Sequence, residues 1–351
     1  MKFAYWATNL GELAFTSYPQ RADSDFAFQR EVAARAEDVG FDYTLLAARF
    51  ISVTGAAPNL EDALASAAAL LPVTRRLKVI AALHPGLWHP AMIAKFAATL
   101  AALSEGRFSL NVVSGWFKEE FLRLGVPWLD HDERYRRSEE FISILRGLWG
   151  GEAFTQRGDF YGVRDLAFRP APAVATLPEI FQGGNSTAAR AMAARQADWY
   201  LMNGDDLDGA ARQIDEIRQL AAASGRSPRF GINALPIIRD SEAEALEVLE
   251  QVIAAADATT VDAFAHHARG AGASTADRVG MWANSDFANR VQPNDGFKTR
   301  LIGTPAQIRD RIRAYRQIGI DLFLCGFLDY LEDLPAFGRD VILRLRQAGQ
   351  P

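Results

Sequence analysis

Cysteine and histidine are scarce in this sequence of 351 residues. It contains one cysteine, Cys325, and five histidines. A single cysteine excludes an internal disulfide framework and a zinc site built from several cysteines, and it is typical of a reducing cytoplasm. The histidines show neither the His-x-x-His nor the His-Glu-x-x-His spacing of a metal site, so we expect no metal centre.

Long apolar runs and basic clusters are also missing. No segment reaches the roughly 18 uninterrupted apolar residues of a membrane span, and the N-terminus lacks the apolar core of a signal peptide. The formal charge is -5, from 38 basic and 43 acidic residues. Without a basic run interleaved with aromatic residues, nucleic acid is not an expected partner. The sequence therefore predicts a cytoplasmic protein that binds neither membrane nor nucleic acid.

Two common catalytic signatures are absent as well. No Gly-x-Gly-x-x-Gly turn follows a predicted strand, which argues against a doubly wound dinucleotide-binding sheet. No Gly-x-Ser-x-Gly elbow is present, so a nucleophilic hydrolase has no candidate serine.

Strand and helix patterns alternate along the whole chain. Apolar runs bounded by turn residues predict eight strands, at residues 2–8, 43–47, 77–83, 108–113, 178–182, 198–202, 229–238 and 321–326. Helical periodicity follows each strand, at residues 26–39, 60–71, 91–103, 139–149, 186–195, 207–223, 242–256, 305–318 and 334–347. Such alternation implies parallel strands with right-handed crossovers. We predict one (β/α)₈ barrel domain over residues 1–351, with an insertion at 266–300.

Polar residues stand where the predicted strands end. In a (β/α)₈ barrel the chemistry lies at the carboxyl ends of the strands and in the loops that follow them. The residues at these positions are Asn9, Arg49, His84, Asn111, Ser114, Asn185, Asn203, Asn233 and Asp329. We expect several of them to share one mouth.

The segment 107–140 is the most informative. Asn111 lies inside an apolar strand, where an unpaired amide costs roughly 1–3 kcal/mol, so it is expected to face a ligand or a buried network. Trp116 follows Gly115 at the strand end, which places a large ring at the mouth. Arg134 and Tyr135 can donate to a phosphate or a ring edge, although the surrounding charges also suit a solvated helix start.

The turn Gln182 to Thr187 closes one strand and opens a helix. Its two glycines allow close backbone approach, and Asn185 and Ser186 are candidate helix caps. Free N–H groups at a helix N-terminus form an anion site. Plain capping explains the same residues, but late loops of a (β/α)₈ barrel often bind phosphate.

Several motifs together resemble a known family. They are FSLNVVSGWFKEEF, HDERYRRSEEF, RGDFY, PEIFQGGNS and NDGFKTRLIGTP. In this order they resemble the bacterial luciferase-like, reduced-flavin-dependent monooxygenases over nearly the whole chain. The resemblance implies a (β/α)₈ barrel that forms homodimers or homotetramers. It also implies reduced FMN as cofactor, supplied by a separate NAD(P)H-dependent FMN reductase.

The resemblance also assigns residues. It places Ala48 and Arg49 beside the flavin, Asn111 at its ring edge and oxygen site, and Glu120 nearby. Arg134 and Tyr135 match the family's flavin-binding pair. Gly184, Asn185 and Ser186 match its phosphate loop. We expect Asn111, His84, Trp116 and Asn233 to be catalytic or to face the substrate.

The substrate expectation rests on a departure within the family. Alkanesulfonate monooxygenases resemble this chain but carry Arg and His where Asn233 and Leu235 stand. Fewer cationic donors weaken the case for a sulfonate. The resemblance therefore implies oxidation of dimethyl sulfone to methanesulfinate and formaldehyde. An alkanesulfonate or pyrimidine-like substrate, a deazaflavin-dependent oxidoreductase and a non-catalytic flavin-binding protein remain alternatives.

Overall fold

A closed barrel of parallel strands forms the centre of the computed structural model, which describes residues 1–11, 13–53, 59–272, 282 and 285–348. The strands are β1 (Lys2–Trp6), β2 (Tyr43–Leu46), β3 (Lys78–Leu83), β4 (Phe108–Val112), β5 (Phe154–Arg157), β6 (Gly162–Leu166), β7 (Ile180–Gly183), β8 (Trp199–Met202), β9 (Arg229–Ala234), β10 (Ile237–Ile238), β11 (Ile302–Gly303) and β12 (Leu322–Cys325). The barrel order is β1-β12-β9-β8-β7-β4-β3-β2, and the predicted (β/α)₈ barrel is confirmed. Two further pairs, β5-β6 and β10-β11, lie outside it.

Helices follow the barrel strands on the outside. They are α1 (Phe26–Asp38), α2 (Ala63–Leu70), α3 (Pro90–Leu103), α4 (Lys118–Arg123), α5 (His131–Trp149), α6 (Thr187–Gln196), α7 (Leu207–Ala222), α8 (Glu242–Ala254), α9 (Ala258–Gly272), α10 (Phe287–Arg290), α11 (Pro305–Ile318), α12 (Asp333–Phe337) and α13 (Leu343–Ala348). Within the described ranges, no helix combines the length and apolar character that crossing a bilayer requires.

Three elements differ from the sequence prediction. The strand predicted at 229–238 breaks after Ala234, because Pro236 has no N–H to continue the ladder, and its remainder pairs with β11. Helix α5 begins eight residues earlier than expected, since Asp130 caps it and its backbone N–H binds Glu133 at 3.4 Å. The predicted insertion at 266–300 starts inside α9, and its residues 273–281, 283 and 284 lie outside the described part of the chain.

The core has two layers separated by the barrel wall. Inside the barrel, small and large side chains alternate in a packed cluster: Ala4, Tyr43, Leu45, Ile80, Phe181, Trp199, Leu201, Leu322 and Leu324. Phe181 and Trp199 stack in this cluster with ring centroids 5.5 Å apart. A second, larger cluster fills the space between the strands and the helices. Side chains therefore fill the middle of the barrel.

The amino ends of the strands are held by one carboxylate, Glu179. Tyr43 Oη, Lys78 Nζ and Trp199 Nε1 donate to it at 3.0, 3.1 and 3.1 Å, and Arg229 also binds it. Burial alone would raise the pKa of Glu179, but the charge of Lys78 and the bonds from Trp199 and Arg229 lower it to about 2. This cluster ties β2 and β3 to β8 and β9, across the barrel end opposite to the site.

Glu179→Gln should lower the free energy of unfolding at pH 7 by about 1–3 kcal/mol, because two cations lose their partner. The folded pKa lies below the unfolded value of about 4.3, so this stabilisation is present above pH 4.3 and is lost as pH falls towards 2. Urea unfolding at pH 7 and pH 3 measures the difference, with exposed Glu250→Gln as the control. A difference that does not shrink at pH 3 would contradict the assignment.

Candidate functional site

A cavity of about 1280 Å³ lies at the carboxyl ends of the strands. This volume exceeds the usual range of small-molecule pockets, roughly 300–1,000 Å³, so it can hold a cofactor together with a second molecule. Eleven of the sequence-predicted site residues line it: Ala48, Arg49, His84, Asn111, Trp116, Arg134, Tyr135, Gly184, Asn185, Ser186 and Asn233. In particular, Tyr135 and Asn185 face the same space, as one shared cofactor would require.

Glu120 lies behind the cavity wall instead of lining it. Its carboxylate is fully buried, accepts a hydrogen bond from the Phe50 backbone N–H at 2.8 Å, and lies 3.4 Å from Arg49 Nη1. Burial lowers the pKa of Arg49, and the charge of Glu120 opposes that shift. Glu120 therefore acts on the cavity through the two lining residues beside it, Arg49 and His84, and it supplies the counter-charge of the Arg49 guanidinium.

His84 is fixed as a neutral ring beside this pair. Its Nδ1 lies 3.0 Å from the Val113 carbonyl, which can only accept, so Nδ1 carries the proton. Nε2 has no hydrogen bond and stands 3.7 Å from Glu120 Oε2. Burial and the charge of Arg49 lower the pKa of His84. The ring therefore offers an acceptor at neutral pH.

Asn111 presents a second open polar group on the adjacent strand. It is buried on β4, and its Oδ1 has no hydrogen-bond partner among the described residues. Buried polar atoms without partners are uncommon and need an explanation. An acceptor on Asn111 and another on His84 suit a ligand with ring N–H groups.

The turn between β7 and α6 has the form of an anion site. Gly184 has φ +129°, and a Cβ there would lie 2.9 Å from the Ala189 Cβ and 3.1 Å from the Tyr135 hydroxyl. Ser186 caps α6 by accepting from Ala189 N at 3.2 Å, and its side chain hydrogen-bonds Tyr135. The buried Asn185 Oδ1 has no partner in the described chain. A helix N-terminus beside a polar atom without a partner suits a phosphate.

Arg134 adds positive charge next to this turn. Its Nη1 donates to the Leu129 carbonyl at 2.7 Å, and its guanidinium carbon lies 4.0 Å from the centre of the Trp128 ring. Burial lowers the pKa of Arg134 to about 10, so it remains charged at neutral pH. The turn and Arg134 together can neutralise a dianion.

Two other polar residues at strand ends serve the fold. Asn9 donates to the carbonyls of Ala47 and Glu61, at 2.8 and 3.0 Å, and accepts from Ala47 N. Asp329 pairs with Arg21 at 3.0 Å. Neither lines the cavity. Both therefore tie loops together at the mouth.

An aromatic roof covers part of the cavity. Phe264 of α9 lies 4.6 Å from Trp116 and 5.1 Å from Phe15, measured between ring centroids, and Arg49 stacks on Trp116 at 4.3 Å. The sequence analysis placed Trp116 at the mouth but missed Phe264. It also missed Trp6, whose spacing of two from the inward-facing Ala4 could have revealed it.

The described residues contain no group of three His, Cys, Asp or Glu side chains arranged to hold a metal ion. The sequence-predicted residues that line the cavity instead contribute amides, an imidazole, a phenol, a hydroxyl and guanidinium groups. This donor set fits a phosphate-bearing aromatic cofactor.

Comparison with known proteins assigns the family. Residues 1–322 match the luciferase-like monooxygenase family. The FMNH(2)-dependent dimethylsulfone monooxygenase of Pseudomonas putida is 48% identical over 351 residues, covering 100% of this chain and 96% of that protein. Its counterpart in Pseudomonas fluorescens is 48% identical over 348 residues, covering 99% and 95%. The crystal structure of a long-chain alkane monooxygenase superposes with a TM-score of 0.82 at 20% identity, covering 99% of this chain and 92% of that one. The chain therefore belongs to the luciferase-like monooxygenase family.

Proposed function

We propose that this protein is the oxygenase of a two-component system that oxidises dimethyl sulfone with O₂ and reduced FMN. One cavity brings together the anion-binding turn, Arg134 and the open acceptors of Asn111 and His84, and this observation carries the proposal. The 48% identity to proteins with this activity over the full chain supports it.

The balanced reaction converts dimethyl sulfone, O₂ and reduced FMN into methanesulfinate, formaldehyde, oxidised FMN and water. One oxygen atom enters the methyl carbon, the C–S bond breaks, and the other oxygen leaves as water. Bound reduced FMN supplies the two electrons that activate O₂. A separate NAD(P)H-dependent FMN reductase would provide it, and both proteins would work in the cytoplasm.

The chain's own residues bind and orient the partners. Gly184, Asn185 and Ser186, with Tyr135 and Arg134, would hold the phosphate. Ala48 and Arg49 would border the ring system, and Asn111 and His84 would accept hydrogen bonds from its edge.

The aromatic roof would keep water out of the cavity. Phe15, Trp116 and Phe264 shield the space above the strand ends. Excluding water protects reactive species from side reactions and strengthens the polar contacts inside.

The homo-oligomer expected from the family resemblance stays a proposal. Met92 and Leu103 on α3 are 70% and 78% exposed, although both are large and apolar. Packing against a second copy would cover them.

Coupled turnover tests the reaction directly. Purified protein, anaerobically reduced FMN and dimethyl sulfone are mixed with oxygenated buffer, and formaldehyde is counted against FMN oxidised. We expect formaldehyde with dimethyl sulfone and little product with methanesulfonate. Formaldehyde from methanesulfonate but not from dimethyl sulfone would assign an alkanesulfonate monooxygenase activity instead. Oxidation of bound FMN without formaldehyde from either compound would reject the monooxygenase function.

Gly184→Ala should raise the dissociation constant of reduced and oxidised FMN at least about tenfold, roughly 1.4 kcal/mol. The added Cβ would crowd Ala189 and Tyr135 in the turn. Gly225→Ala is the matched control, because it also has a positive φ of +63° but nothing within 4 Å of its Cβ. Both variants share the backbone strain. Equal dissociation constants of FMN for the two variants would show that the turn does not bind the phosphate.

Glu120→Gln should lower the free energy of unfolding by about 2–4 kcal/mol and weaken binding of reduced FMN, because buried Arg49 loses its counter-charge. The neighbouring Glu119→Gln is the control. Its side chain is 44% exposed and pairs with Arg123 on the surface, so we expect a change below about 0.5 kcal/mol. Urea unfolding and flavin titration measure both effects. Similar behaviour of the two variants would show that Glu120 does not support Arg49.

A further inference from the structure

The amide of Asn233 is held by two hydrogen bonds across the top of the barrel. Its Oδ1 accepts from Trp6 Nε1 at 2.8 Å, and its Nδ2 donates to the Met202 carbonyl at 2.9 Å. Asn233 is 5% exposed. Turning the amide towards a ligand would break both bonds inside a buried site, which is costly. The fixed amide is therefore poorly suited to hydrogen-bond a substrate directly.

Trp6 is the side chain that Asn233 positions. In the barrel register Ala4 lies beside Leu324, and Leu324 lies beside Asn233. Trp6 follows Ala4 by two residues on β1, so it points to the same inner side one layer higher. The Trp6–Asn233 bond thus passes over β12, above Leu324. With its N–H occupied, the indole offers the cavity an apolar surface.

The second bond fixes the end of β8, where Asn203 follows Met202. Asn203 lines the same cavity. Its amide has no side-chain hydrogen bond within the described part of the chain. It can donate to an oxygen that enters the space beside Trp6.

The arginines that line the cavity each have a partner within the protein. Arg21 pairs with Asp329 and Glu332, Arg49 with Glu120, and Arg134 donates to the Leu129 carbonyl. An anion beside Trp6 would lose its hydration without gaining a partner charge. A neutral sulfone needs a donor for an oxygen and apolar contacts for its methyl groups, and this wall provides both.

We propose that Asn233 is a positioning residue that holds the Trp6 indole and the β8 end, so that Trp6 and Asn203 form the substrate wall that selects a neutral sulfone over a sulfonate. This inference rests on the proposed function, because it names the residues that recognise its substrate.

A double-mutant cycle tests the positioning role. Asn233→Leu and Trp6→Phe should each raise KM for dimethyl sulfone about 5- to 30-fold with a much smaller change in kcat. The double variant should be no worse than the poorer single variant, because Asn233→Leu already breaks the Trp6–Asn233 bond that Trp6→Phe removes. Asn203→Ala combined with Trp6→Phe should instead multiply the single effects. Trp88→Phe, at a half-buried tryptophan outside the cavity lining, is the matched control and should leave KM unchanged.

A spectroscopic readout separates this inference from the reaction itself. The indole N–H resonance of Trp6, assigned by its loss in Trp6→Phe, should shift in Asn233→Leu. In FMN-saturated wild-type protein it should shift saturably with dimethyl sulfone and not with methanesulfonate.

The outcomes are distinct. Absence of formaldehyde from the wild type would reject the proposed function, whereas the resonance still tests the wall. The inference would be overturned if the effects of Asn233→Leu and Trp6→Phe on KM multiplied in the double variant. It would also be overturned if the Trp6 indole N–H resonance did not shift on addition of dimethyl sulfone. A normal KM for Trp6→Phe beside a raised KM for Asn233→Leu would also overturn it, because Asn233 would then contact the substrate directly.

Discussion

Closure of eight parallel strands is the constraint on which the site depends. Because every barrel strand runs the same way, side chains from distant parts of the chain arrive at one end. Inward positions alternate with outward ones, so Trp6, Asn111 and Asn233 rise directly above packed apolar layers. The site needs no loop of its own to gather these groups. Loops and the helices that follow them add the turn between β7 and α6, the side chains of Arg49, His84 and Arg134, and the aromatic roof.

The two ends of the barrel carry different electrostatic roles. At the amino end, Glu179 satisfies its cations within the protein and holds four strands together. At the carboxyl end, Asn111, His84 and Asn185 keep polar atoms without protein partners. Stability is therefore concentrated away from the mouth, where unsatisfied groups are retained for a ligand.

Much of the fold follows from local patterns in the sequence. The alternating runs predicted the barrel strands, and the glycines of the Gln182 to Thr187 segment predicted the tight turn that lines the cavity. The break in β9 was missed because the apolar pattern continues past Pro236, and only the missing N–H ends the ladder. The early start of α5 was hidden by its charged first turns, although Asp130 and Glu133 form a recognisable cap.

The sequence could not assign partners that depend on long-range contacts. Glu120 was expected beside the flavin, and its burial behind Arg49 depends on how α4 packs. Asn233 was expected to face the substrate, and its bond to Trp6 joins residues 227 positions apart in the sequence. The sequence pattern predicts that such residues lie at the mouth. The hydrogen-bond partners of a side-chain amide depend on tertiary packing, which the pattern does not contain.

The aromatic roof can form only late in the synthesis and folding of the chain. Phe15, Trp116 and Phe264 come from the beginning, the middle and the last third of the chain. A chain still being synthesised cannot bring them together until Phe264 has been added. The roof over the cavity is therefore one of the last parts of the site to form, after most of the barrel strands have been made.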